Sequence, residues 1–164
     1  MKIFFVVTIT LLIAIFLDII DMPAWSMWLR PEWTLMVLIY WALALPQQCG
    51  VLLAAMTGLI LDSLSGIILG KQMLIFALIV ALVILIHRRF RMYDLWHQAR
   101  VVFALALFAQ LLLYCLDHLT NTPTHFGFIF LPPMISALIW PWIMIVLRGI
   151  RRYFGITTKF AIND

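Results

Sequence analysis

Two stretches, Val51–Leu61 and Met73–Ile86, are apolar on every face. They restrict the possible folds more than any other feature of the chain. A lipid-exposed barrel strand alternates apolar and polar positions, so these runs are not barrel strands. Backbone groups in lipid must be satisfied internally, which leaves α-helices. The rest of the sequence agrees, for 66% of its 164 residues are hydrophobic, 11% are charged and the mean hydropathy is +1.12. A soluble domain of this length needs more charge to cover its surface. The expectation is an all-α integral membrane protein, one polytopic domain over 1–164. Its six transmembrane helices fall at about 3–20, 33–45, 50–70, 72–86, 100–116 and 132–147.

The first apolar run follows Lys2 and could be mistaken for a signal peptide. The stretch after it, Asp18 to Trp25, offers no small-x-small cleavage site, so an uncleaved span is expected. Pro23 to Trp33 is rich in tryptophan and proline and is expected to lie along the membrane surface. The second span is framed by Pro31 and Pro46. At 1.5 Å per residue it reaches only about 20 Å, so it must borrow its flanks, thin the bilayer or be tucked among other helices. Pro133 suits a first helical turn and Pro141 a kink within the last helix. His87 to Arg100 mixes basic, aromatic and apolar residues, as a short amphipathic piece on the cytoplasmic leaflet would.

Charge placement orders these spans. The net charge of +4 does not point to nucleic acid, because the basic residues sit at the ends of apolar runs. With six spans and the N-terminus inside, Lys2, Arg88, Arg89, Arg91, Arg100, Arg148, Arg151, Arg152 and Lys159 are cytoplasmic. The outer side receives Arg30 and Lys71 with Asp18, Asp21, Glu32 and Asp117. That asymmetry is the positive-inside pattern, with both termini cytoplasmic. Membrane lipids are the expected surroundings, anionic headgroups meeting the basic clusters.

The third span carries the one unusual pattern. Gly50, Ala54, Gly58, Asp62, Gly66 and Gly70 recur at every fourth position. On one continuous helix they form a ridge of small residues, along which another helix can approach closely. Asp62 is the only acidic residue deep in any span. A charged carboxylate there is costly and should face the bundle interior with partners. Ser65, Gln110, Tyr114, Arg30 and Lys71 are the candidates. The carboxylate reads either as a ligand or partner contact or, as we favour, as a polar clamp fixing helix register.

Catalysis is not expected. Ser65 lies in a membrane helix, but no histidine falls at its depth to take a proton: His87 and His97 are in an inner loop, His118 and His125 in an outer one. Asp62 has no intramembrane acidic companion for an aspartyl mechanism. Cys49 and Cys115 read as small packing residues rather than a disulfide or zinc ligands. No cofactor or metal is expected.

Several stretches together resemble the MreD family of rod shape-determining proteins. They are Arg30-Pro31-Glu32-Trp33, Tyr40-Trp41-Ala42-Leu43-Ala44-Leu45-Pro46, and the run from Gly58 through Asp62, Ser65 and Gly66 to Gly70. Leu95-Trp96-His97-Gln98-Ala99, Trp140-Pro141-Trp142 and the basic tail Arg148–Arg152 follow in the family's order. Gln47-Gln48-Cys49 departs from the pattern, where a basic residue is more usual, as does His97, where glutamine is. The resemblance implies a non-catalytic inner-membrane scaffold of the cell-elongation machinery. It would bind MreC directly and couple MreB filaments to a RodA-type polymerase and a penicillin-binding transpeptidase. It also implies a fold similar to the substrate-binding subunit of energy-coupling-factor transporters. The alternative is a small-molecule or lipid-precursor binding subunit with a pocket near Asp62. The residues expected to matter for structure or partner contact are Gly58, Asp62, Ser65, Gly66, Gly70, Arg30 and Trp33.

Overall fold

The computed structural model describes residues 2–20, 31–46, 49–66, 69–90, 94–120 and 130–154. Among these the regular structure is entirely helical: α1 Lys2–Ile19, α2 Trp33–Ala44, α3 Val51–Ser65, α4 Lys71–Phe90, α5 Leu95–Leu119 and α6 Leu131–Tyr153. Two of them, α5 and α6, are long and apolar enough by themselves to cross a membrane. The helices α1 to α4 are apolar as well, with shorter apolar stretches.

Helix α2 accounts for its own shortness. At 12 residues it is about 18 Å long, well under the thickness of a hydrocarbon core. Every residue from Thr34 to Ala44 is buried, so none of that surface meets lipid. It is enclosed by α1, α4 and α6. Trp41, fully buried, donates its indole N–H to Thr10 Oγ1 on α1 at 2.9 Å. The Thr10 hydroxyl donates in turn to the carbonyls of Val6 and Val7, so the pair is satisfied without water.

The outer surface is the reverse. Phe4, Phe5, Leu12 and Phe16 on α1, Leu52 and Met56 on α3, Leu85 on α4, and Leu138, Trp142 and Ile145 on α6 are all exposed. Apolar side chains displayed on so many helices would aggregate in water and suit lipid.

Several boundaries differ from the sequence expectation. The third helix stops at Ser65 rather than running to Gly70, because Gly66 adopts a left-handed conformation (φ 64°) and ends it. Gly70 also has positive φ, at 104°, and opens into α4. The six-residue ridge is therefore not one helical face. Its packed part is Ala54, Gly58 and Asp62, which are buried, while Gly50, at the helix start, has open space around it. In the basic stretch from His87 to Arg100 the described residues form no separate amphipathic element either. Helix α4 continues through Phe90 and α5 begins at Leu95, so both ends extend beyond the apolar cores. Pro132 and Pro133 fall in the first turn of α6, and Pro141 lies inside that helix. Of the surface segment expected over 23–33, residues 23–30 lie outside the described residues, and Trp33 begins α2.

Candidate functional site

At one end of the bundle two carboxylates do the same job. Asp62, near the end of α3, has no exposed surface. Its oxygens accept the backbone N–H groups of Gly70 (2.9 Å), Gln72 (3.1 Å) and Met73 (3.3 Å) at the start of α4. Asp18, near the end of α1, accepts the N–H groups of Trp33 (3.2 Å) and Thr34 (2.8 Å) at the start of α2. The opening amides of a helix have no intrahelical partner, and the helix dipole favours an anion beside them. Each carboxylate thus caps the helix that follows its own and closes a helical hairpin.

Gly58 makes the second hairpin tight. A Cβ at that position would lie 2.6 Å from the Gln72 carbonyl oxygen and from Met73 backbone atoms. Nothing larger than glycine fits there without moving α4. One turn further along α3, Asp62 reaches the same stretch of backbone. The small residue and the acid are two parts of one helix–helix contact.

Further bonds tie the remaining helices to this end. Lys71 Nζ pairs with Asp117 on α5 at 2.7 Å, the lysine side chain almost wholly buried. The Glu32 backbone N–H donates to Ser136 Oγ on α6 at 3.1 Å, and its carboxylate accepts Gln110 Nε2 from α5. Beside this network lies an open cleft of about 270 Å³, with Asp18, Glu32, Ser65, Gln72 and Gln110 as its polar lining.

A different surface lies on the flank. Helices α1 and α6 each pack beside α2 and leave a groove between them, about 410 Å³ in volume. Ile13 and Leu17 of α1, Trp33 and Val37 of α2, and Trp142 and Val146 of α6 line it. Its lining on α6 runs from Ile139 to Ile150, about 16 Å along the axis. The walls are apolar almost throughout.

The residues singled out from sequence separate into these places. Gly58, Asp62 and Gly70 meet at the α3–α4 contact, where Gly66 ends α3. Ser65 is exposed and lines the cleft, and Trp33 borders the apolar groove. Arg30 lies outside the described residues. The partners expected for Asp62 are side chains, whereas among the described residues those it has are backbone amides. Gln110 bonds Glu32 and Lys71 bonds Asp117. Nor does Asp62 line the cleft, its oxygens being turned to the start of α4. Asp18, Glu32 and Ser136 were not singled out. Their signal was present as polar residues bordering or interrupting apolar runs, without any indication of what they would meet.

No solved structure matches this chain. The family model of the rod shape-determining protein MreD matches residues 1–150. That match covers all six helices except the last turn of α6. The chain belongs to the MreD family of rod shape-determining proteins.

Proposed function

We propose that this protein is a non-catalytic scaffold of the rod complex that receives the single membrane helix of MreC in the groove between α1 and α6. Its family is one of membrane proteins that determine rod shape. The observation that carries the reading is the groove itself. It is apolar, lined by α1 and α6 over a floor from α2, and long enough for about three turns of a helix. Packing between helices in lipid rests on close van der Waals fit rather than on hydrophobic expulsion, so a preformed concave wall favours one more helix. Coupling to MreB and to a polymerase and transpeptidase of the wall follows through MreC. The same proposal includes six crossings, both termini cytoplasmic, and a fold similar to energy-coupling-factor substrate-binding subunits.

Filling the groove tests it. Ile13→Trp with Val146→Trp adds apolar bulk at two exposed positions and introduces no charge into lipid. The variant is expected at normal level in the membrane, with MreC co-purification reduced at least tenfold and cells rounded. Intact co-purification together with normal rods would overturn the assignment.

A second reading has its own observation, the cleft at the acidic end. Asp18, Glu32, Gln72 and Gln110 converge there with Ser65, a lining suited to a polar headgroup or a lipid-linked precursor. The site of this reading is that cleft, since Asp62 is committed to the α4 amides. Unchanged cell shape and unchanged lipid-precursor retention in Gln110→Leu would remove it.

A further inference from the structure

The opposite end of the bundle holds a second polar cleft, of about 260 Å³, lined by Tyr40, Gln98, Arg148, Arg151 and Arg152. The three arginines stand at i, i+3 and i+4 on α6, which brings them to one face. Among the described residues none of them forms an ion pair. Positive-inside sorting and the negative end of the α6 dipole explain why basic residues occur here. Neither explains why three should border a cleft whose buried wall, otherwise formed by Leu43, Ala44 and Met144, carries the polar side chains Tyr40 and Gln98. Tyr40 is 2% exposed, lines that wall, and its hydroxyl has no hydrogen-bond partner among the described residues. A buried hydroxyl in this state is rare in folded proteins and leaves a hydrogen-bonding position open to a bound group. Arg148 and Arg151 line the same cleft as this hydroxyl's side chain.

We propose that this cleft binds a phosphate group, carried by the headgroup of an anionic phospholipid in the leaflet on that side. Guanidinium forks match phosphate oxygens two at a time, and a phenol hydroxyl supplies one more donor from below. Basic pockets between membrane helices on the cytoplasmic side suit such headgroups.

The test uses the full chain in a neutral detergent, titrated with phosphatidylglycerol, with phosphatidylcholine, and separately with pyrophosphate, binding being read by native mass spectrometry. Phosphatidylglycerol is expected to be retained and phosphatidylcholine washed away. Arg148→Gln with Arg151→Gln should weaken phosphatidylglycerol at least tenfold. Tyr40→Phe should weaken it several-fold at an unchanged unfolding midpoint. Because Tyr40→Phe removes one unpartnered oxygen, it keeps the test decisive if the double variant does not fold. Pyrophosphate competing for the same residues would support the phosphate site and name a soluble phosphate as its source. Equal retention of both lipids, or unchanged affinity in either variant, would overturn the proposal. So would binding of an acidic peptide with neither phosphate probe.

Discussion

At one end of the bundle Asp18 and Asp62 are each satisfied by the amides opening a neighbouring helix, and Lys71 is satisfied by Asp117. At the other end Arg148, Arg151 and Arg152 border a cleft and meet no carboxylate among the described residues. The acidic end spends its charges on holding helices to one another, so removing one charge should loosen the fold. The basic end keeps its charges facing outward, so removing one should alter what binds and leave the fold alone. The two ends differ in whether the described residues supply a partner for each polar group.

The sharpest break in that contrast is Asp62→Ala. It strips the partners from three amides around a fully buried site, and unsatisfied buried groups cost about 1–3 kcal/mol each. Allowing for some relaxation, we expect a loss of roughly 3 kcal/mol or more, read by unfolding in mixed micelles of rising denaturing-detergent fraction. Gly58→Ala comes next. Its new methyl meets the backbone of α4 at 2.6 Å, and overpacking of this kind costs about 1–3 kcal/mol on the same assay. Asp18→Ala is smaller, about 1–2 kcal/mol, because it frees two amides at a more accessible position. At the basic end, Arg148→Gln should shift stability by no more than about 0.5 kcal/mol in neutral detergent. An Arg148→Gln loss as large as that of Asp62→Ala would erase the distinction between the two ends.

Much of the fold could be read from the sequence, since each apolar run became a helix and the short second run is short because it is buried on all sides. Burial of Asp62 was also legible, because a carboxylate deep in an apolar run has no alternative. Its partners were not. Backbone amides carry no residue-type signature, and the helix end before them is set by Gly66, which like Gly70 takes positive φ. A period of four in the sequence looks the same whether the helix continues or stops at Gly66. The arginines of α6 were readable as a topological signal, but their approach to Tyr40 joins residues more than 100 positions apart. The groove between α1 and α6 is invisible for the same reason, since it depends on which helices α2 separates.

Cysteine crosslinking tests most directly the proposal that the groove between α1 and α6 receives the membrane helix of MreC. With Cys49 and Cys115 replaced by alanine, single cysteines at Ile13, Trp142 and Val146 in the groove are compared with Leu52 and Met56 on the exposed face of α3. Each is paired with cysteines scanned along the membrane helix of co-expressed MreC. The account predicts crosslinks from the groove positions with helical periodicity along MreC, and none above background from α3. Crosslinks confined to α3, or equal at both faces, would contradict it.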